Sequence, residues 1–329
     1  MKDISIVTGG AGFIGSHLVD LLLGYGHEVR VLDNLSGGHE CNLNHHKNNS
    51  DLNCEWIDIN NINKNLSIFS DAKYCFHLAG IGDIVPSIEN PNDYMQTNVQ
   101  GTVNVLEACR KFGIKKTIYA ASSSCYGIAK TPTDESHSID PKYPYALSKY
   151  LGEKVLFHWN KVYKLPVNSI CIFNAYGTRV RTTGVYGAVF GVFLKQKLAG
   201  KPFTVVGDGK QTRDFVYASD VAEAFYLAAL SETSNERFNV GGGNPQSINY
   251  LIELLGGKVS YLPKRPGEPD ITYANISKIQ KMLGWHPKIS FEEGVNLMLK
   301  DINHWKDAPL WDLESIDKAT TTWFKYMKE

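Results

Sequence analysis

The stretch Ile4-Ser5-Ile6-Val7-Thr8 runs straight into Gly9-Gly10-Ala11-Gly12-Phe13-Ile14-Gly15, and helix formers from Ser16 to Leu23 follow. No other junction constrains this chain as tightly. A short apolar run that stops at a glycine cluster reads as a buried strand turning sharply into a helix. Gly9 permits the tight turn, Gly12 lets the backbone approach a phosphate, and Gly15 lets the helix lie against the strand. The helix N-terminus offers unpaired N–H groups and a partial positive charge to an anion. Glycine patterns alone are weak, because many loops are glycine-rich. Here the next apolar run, Glu28-Val29-Arg30-Val31-Leu32-Asp33, ends in a carboxylate about 20 residues on, where it can accept a hydrogen bond from a ribose 2′-hydroxyl. The junction predicts a dinucleotide site. Asp33 favours NAD over NADP, because its charge would repel a 2′-phosphate.

Further short apolar runs follow at Cys54–Ile57, Tyr74–Leu78, Thr117–Ala121 and Val167–Phe173, with helical stretches at Tyr94–Phe112 and Tyr145–Tyr163. Continuous apolar strands alternating with helices predict an α/β fold, a doubly wound parallel sheet covered on both faces. Ligands then bind at the carboxyl ends of its strands. After residue 174 the rhythm changes to short strands (Phe203–Val206, Phe238–Val240, Val259–Leu262) among short helices. This predicts a dinucleotide-binding domain over 1–174, with a returning segment near 210–240, and a smaller mixed α/β substrate lobe over 175–329. Ser277-x-x-Gln280 and Ser290-x-x-Glu293 have the form of capping boxes. Leu313, Ile316, Thr320, Trp323, Phe324 and Met327 share one face of a C-terminal helix that is expected to pack on the body.

The 329 residues suffice for two medium domains, and 34 Lys and Arg balance 34 Asp and Glu. A net charge of zero gives no ground for a nucleic-acid or anionic-membrane partner. Lys2 and Asp3 lead directly into a strand, which reads against a secretory leader, and no apolar run is long enough to span a membrane. Six cysteines without a C-x-x-C pair suit a reducing, cytoplasmic setting. Cys41, His45, His46 and Cys54 lie in a polar stretch whose spacing fits no zinc pattern, so no metal is expected.

The chemistry gathers further on. The strand at Thr117–Ala121 ends in Ser122-Ser123-Ser124-Cys125-Tyr126-Gly127, and Tyr145-Ala146-Leu147-Ser148-Lys149 opens a helix. Tyr145 and Lys149 share a helix face. An ammonium beside a phenol is expected to lower the tyrosine pKa, so that Tyr145 serves as general base towards a sugar hydroxyl and Ser122 relays the proton. His77 reads as a packed, hydrogen-bonded residue. Cys125, without a histidine nearby in sequence, reads as a small packed one.

With these residues in place, the whole chain resembles the extended short-chain dehydrogenase/reductase family, in particular its nucleotide-sugar epimerases and dehydratases. Matching stretches are Thr8–His17, His77-Leu78-Ala79-Gly80, Asn98-Val99-Gln100-Gly101-Thr102, the serine and Tyr-Lys sites, Phe173–Gly177, Gly207-Asp208-Gly209, Arg213-Asp214-Phe215-Val216 and Lys264–Pro269. The resemblance implies NAD contacts from Gly9, Gly12, Phe13, Ile14, Gly15, Asp33, Asn34, Asp58, Ile59, Leu78, Ala79 and Asn98, with Tyr145 and Lys149 on the nicotinamide ribose. Ser122, Tyr145 and Lys149 form the implied catalytic set. Asn174, Val189, Arg213 and Arg265 are implied for the nucleoside diphosphate, Thr204 and Val206 for the base, and Ser123, Ser124 and Thr272 for the sugar. Paired arginines suit a diphosphate because each offers a planar fork of donors. Asp214 is expected to orient neighbouring loops. A homodimer through a four-helix bundle of Tyr94–Phe112 and Tyr145–Tyr163 is also implied. Leu147, Leu151, Val155 and Trp159 recur there at helical spacing, as core burial would equally produce.

The serine segment separates reactions. The family's 4,6-dehydratases carry Asp-Glu where this chain has Ser123-Ser124, and its decarboxylases carry Glu at Ser124. Hydroxyls cannot supply that acid–base work near neutral pH. A 4-epimerase needs only Tyr145, a 4-keto sugar that rotates, and a hydride that returns. The small Thr272 leaves room for a 2-acetamido group, although a one-residue slip would put Tyr273 there. A UDP-glucose or UDP-N-acetylglucosamine 4-epimerase is the favoured reading. A net C4 oxidoreductase and an epimerase of GDP- or CDP-sugars remain alternatives.

Overall fold

A computed structural model describes residues 2–64, 66–182, 189–264 and 268–327. Arg265, expected to hold a phosphate, lies outside the described residues. Strands β1 (Ile4–Thr8), β2 (Glu28–Asp33), β3 (Leu52–Trp56), β4 (Tyr74–His77), β5 (Lys116–Ser122), β6 (Val167–Ile172) and β7 (Glu236–Val240) form one sheet. Every neighbouring pair is parallel, in the order β7-β6-β5-β4-β1-β2-β3. The strand order reverses between β1 and β4, so the crevice of a doubly wound sheet opens at their carboxyl ends. Phe238–Val240, at the end of the returning segment near 210–240, pairs with Ile170–Ile172 as the sheet's seventh strand. Its apolar run suits a position buried on both faces.

Successive side chains of a strand point to opposite faces. Val7, Val31, Phe76, Ile118 and Phe238 accordingly pack with Leu18, Leu22 and Phe225 on one side. Ile6, Leu32, Cys75 and Tyr119 pack with Val105 and Leu156 on the other. The first layer is covered by α1 (Phe13–Gly24), the second by α2 (Gly101–Lys111) and α3 (Pro144–Tyr163), and α4 (Ala218–Leu230) lies against α1. A third core joins Tyr176, Phe190, Phe203, Phe215, Leu251, Phe291 and Trp305, built largely on residues after the sixth strand. Helix α5 (Leu313–Tyr326) buries Ile316, Thr320 and Trp323, while Leu313 is exposed.

The expected helix Tyr94–Phe112 is interrupted. A helix over Pro91–Met95 passes into a wide π turn, Gln96–Gln100, before α2. Of the two capping motifs, Ser290 does accept the Glu293 N–H. Ser277 is not a cap: Ile276 holds that position and the Ser277 N–H is taken by the Asn275 side chain. Among the described residues no helix is long and apolar enough to cross a membrane.

Candidate active site

At the end of β1, Gly9 has φ +72°, a conformation that L side chains avoid. A Cβ added to Gly15 would sit 2.0 Å from the Gly9 carbonyl oxygen, so the helix packs on the turn only without a side chain there. Gly12 is the N-cap of α1. Phe13 and Ile14 open the helix behind it. Asp33 Oδ2 accepts the Ala11 N–H at 3.0 Å and Oδ1 the Leu35 N–H at 2.8 Å. Burial raises this carboxyl above its ordinary value, against the pull of those two amides. The carboxylate therefore also fastens the turn to β2. Asn34 donates to Asp58 at 2.9 Å, which places both beyond the ends of their strands, and Ile59 is buried against Gly101. The bare glycine cradle at a helix N-terminus, with a carboxylate at the next strand end, fits the pyrophosphate and ribose of NAD. In Gly15→Ala, the clash should open the turn at a cost of about 1–3 kcal/mol. The protein should purify with its nucleotide depleted, as read from the absorbance of a denatured supernatant.

Leu78 and Ala79 follow β4, and the Ala79 N–H reaches Thr8 Oγ1 at 3.2 Å. His77, fully buried, bridges Thr8 Oγ1 at 2.7 Å and Thr102 Oγ1 at 3.0 Å. Thr102 spends its proton on the Asn98 carbonyl, so it accepts from His77 Nε2–H, which leaves Nδ1 as the acceptor. Burial, then the charge of Lys149, drive the His77 pKa down to about 3. It is a neutral structural bridge, as its sequence position suggested. Asn98, in the π turn, accepts the Ile81 N–H at 2.8 Å and donates to the Ile81 carbonyl at 3.0 Å and to Ser148 at 2.9 Å. It ties the loop after β4 to α3.

Beside that loop, Ser122 ends β5, with Ser123 and Ser124 opening the next turn. Ser122 Oγ lies 2.5 Å from Ser124 Oγ. The Tyr145 phenol, from the first turn of α3, faces both hydroxyls, which pull its pKa down. Lys149 is buried one turn further on, its Nζ 4.5 Å from the Tyr119 ring centroid. The three residues of the expected catalytic set thus lie together. Their electrostatics correct the sequence expectation. Burial pushes the Tyr145 phenol up, outweighing the two serine hydroxyls that pull it down. Burial likewise pushes the Lys149 ammonium down to about 8, with the Glu153 carboxylate opposing. Both charged forms lose water here, and that loss exceeds the attraction that one helical turn of separation suggested.

Several neighbours escaped sequence reading. Glu153, one turn beyond Lys149, is fully enclosed. It accepts from Ser169 at 2.6 Å and from Arg237 Nε at 2.9 Å, with a second bond from Arg237 Nη2. Spacing alone could have flagged Glu153, but its partner comes from β7. Tyr143 has its ring stacked on that of Tyr145, centroids 6.3 Å apart, and Ser124 pulls against the burial that raises its phenol. Arg181 pairs with Asp83 at 2.5 Å, and the Asp83 charge acts on Tyr145.

The nucleotide-lobe residues are spread over several elements. Arg213 and Val206 line an open cleft of about 440 Å³ with Gly207, Gln211 and Glu268. Arg213 Nη1 donates to the Thr212 carbonyl at 3.0 Å. Thr272 donates to Asn174 Oδ1 at 2.7 Å and accepts the Asp214 N–H at 3.1 Å. It is thus Thr272, and not Tyr273, whose side chain meets Asn174. Asp214, buried, accepts the Ala274 N–H at 2.8 Å, and burial lifts its pKa to about 6. This accords with a loop-orienting part. Val189 begins the helix Val189–Leu198. The Thr204 side chain is buried and accepts from Gln196 Nε2 at 2.8 Å, and the Thr204 N–H donates to Gln196 Oε1 at 3.1 Å, so neither its hydroxyl nor its N–H is left to meet a base. The cysteines of the rejected metal quartet, Cys41 and Cys54, belong to no cluster of metal-type donors among the described residues.

The model of the NAD dependent epimerase/dehydratase family matches residues 5–241. The UDP-glucose 4-epimerase of Mycolicibacterium smegmatis is 35% identical over 302 residues, 88% of this chain and 96% of the relative. The UDP-glucuronate 4-epimerase of Thermodesulfobacterium geofontis is 35% identical over 326 residues, covering 94% and 98%. Among solved structures, the UDP-N-acetylglucosamine 4-epimerase of Methanobrevibacter ruminantium, in complex with UDP-N-acetylmuramic acid, superposes with a TM-score of 0.85 at 33% identity, covering 92% of this chain and 100% of that one. A UDP-N-acetyl-α-D-glucosaminuronate decarboxylase of Bacillus cytotoxicus also matches, at 32% identity over 93% of this chain and 98% of the relative.

Proposed function

Because the chain belongs to the NAD-dependent epimerase/dehydratase family, and is an NAD-dependent epimerase of the UDP-sugar kind, we propose that it inverts C4 of a UDP-hexose or UDP-N-acetylhexosamine through a 4-keto intermediate. One observation carries this reading. Tyr145 faces the hydroxyl pair Ser122 and Ser124, and the two positions at which dehydration or decarboxylation would need a carboxylate are Ser123 and Ser124. NAD, when bound, supplies a hydride acceptor at C4 and a positive charge to the pocket. Tyr145 takes the proton of the C4 hydroxyl and returns it after the sugar has turned, with Ser122 passing it along. Lys149 stabilises the phenolate while that form exists. Gly9, Gly12, Gly15, Asp33, Asn34, Asp58, Ile59, Leu78, Ala79 and Asn98 hold or frame the dinucleotide. Asn174, Val189 and Arg213 hold the diphosphate, and Val206 faces the uracil. Two copies are expected to pair through α2 and α3, where Leu147, Val162 and Tyr163 are exposed.

Thr272 is small and directed to Asn174, which favours acceptance of a 2-acetamido group. Arg181 supports a second reading, in which a hexuronate carboxylate takes the place of Asp83 beside the guanidinium. A panel of UDP-glucose, UDP-N-acetylglucosamine and UDP-glucuronate, followed by NMR, separates them. Expected is the C4 epimer of the acetylated sugar, with NAD still bound after turnover. Turnover of UDP-glucose alone would overturn the acetamido reading, and of UDP-glucuronate alone would select the second. A keto sugar released with accumulating NADH would mean net oxidation.

A further inference from the structure

Away from this pocket, another set of side chains converges. Among the described residues, Asp20, His45 and His46 are the one group of three or more His, Cys, Asp or Glu whose donor atoms all lie within 4.8 Å of one another. Asp20 projects from α1. The two histidines are consecutive at the end of the short helical segment Glu40–His46. Both imidazoles aim Nε2 at the same oxygen, Asp20 Oδ1, at 2.7 and 2.8 Å. Their ring centroids are 4.1 Å apart. The other carboxylate oxygen, Oδ2, is held by Arg179 Nη2 at 2.6 Å. Outer-shell donors hold ligating carboxylates in the same way, fixing one oxygen and aiming the other.

We propose that Asp20, His45 and His46 form a binding site for one divalent ion of the zinc class, with water completing its coordination. Two imidazole nitrogens and one carboxylate oxygen suit zinc and neighbouring transition metals, not magnesium or calcium, which take oxygen shells. Burial works against the Asp20 charge, but Arg179 and the two histidines outweigh it and keep the group an anion. Spacing in the sequence could not find this set, because Asp20 lies on α1, 25 residues before His45. The Arg179 charge repels a cation, so affinity in the micromolar range is expected. The ion would also brace the dinucleotide turn. The N–H of His39, which caps that segment, and Nδ2 of Asn42 within it donate to the Ala11 carbonyl at 3.0 and 2.9 Å.

The test uses the full chain in a Cys41→Ser background, which removes the exposed thiol as a competing ligand. Chelator-treated protein is titrated with zinc chloride by calorimetry and by thermal melting. One equivalent should bind, and at about 100-fold excess over the dissociation constant the melting temperature should rise by roughly 2–5 °C. Magnesium chloride should do neither. His45→Ala and His46→Ala should each lose both signals while melting like the parent in chelator, which separates lost ligands from lost fold. Zinc uptake unchanged in either histidine variant, or absent below about millimolar zinc, overturns the site. Neither readout involves sugar turnover, so the result stands apart from the proposed epimerase activity.

Discussion

In Tyr145→Phe, epimer formation should fall by roughly 10²–10⁴-fold, the range that a positioned acid–base group contributes. The change removes one oxygen. Ser122 and Ser124 keep each other as partners, the ring keeps its place beside Tyr143 and Tyr94, and Lys149 stays beneath the Tyr119 ring face. Folding and retained nucleotide should be those of the parent, so the loss appears in kcat and not in melting temperature. The parent's rate should climb with pH through the neutral range. Burial holds the Tyr145 phenol above its ordinary value, and its basic form becomes more populated as protons are withdrawn. The Phe variant's residual rate should lack that slope. Parent-like turnover in the variant would remove Tyr145 from the reaction.

The second large effect concerns stability. Glu153 and Arg237 neutralise each other inside the protein, with side chains 1% and 13% exposed. Glu153→Ala leaves the largely buried guanidinium without its carboxylate, which should cost about 3–5 kcal/mol. Burial works against the Arg237 charge, and Glu153 more than offsets this in the parent. Removing both charges, as in Glu153→Gln with Arg237→Met, should restore most of the loss, since no ion is then stranded. Denaturant melts of the parent, Glu153→Gln, Arg237→Met and the double variant give the coupling directly. A Glu153→Ala protein as stable as the parent would mean that water enters and solvates Arg237. Because Glu153 is one helical turn from Lys149, the double variant also reports whether the lysine depends on that carboxylate for its charge.

What could be read from the sequence was local. The turn at Gly9–Gly15, the six strands before residue 174 and the pairing of Tyr145 with Lys149 follow from spacing along one element or across one junction. The seventh strand, Phe238–Val240, is legible as a strand at the end of the returning segment, but nothing within it names β6 as its neighbour. The π turn at Gln96–Gln100 was invisible for another reason. It is set by the Asn98 side chain binding a loop after β4, not by the helix's own periodicity. Ser122, Ser124 and Tyr145 were found because each sits at the end of a readable element. Glu153–Arg237, Asp83–Arg181 and Asp20–His45–His46 were missed because each joins segments far apart in the chain. The direction of the Tyr145 shift was misjudged for a related reason: proximity of an ammonium can be inferred from spacing, but the withdrawal of water from both groups cannot.

Gly152 has a consequence for how forces travel through this molecule. A methyl at that position would fall 2.4 Å from the Tyr119 hydroxyl and 2.7 Å from the Asn98 carbonyl oxygen. The long helix is thus seated hard against both β5 and the π turn, with no slack between them. Since interiors this dense transmit displacement instead of absorbing it, pressure on the outer side of that helix would be felt two turns earlier, at the Tyr145 phenol. A load on its outer surface would therefore pivot about this bare stretch of backbone before it reached the proposed general base.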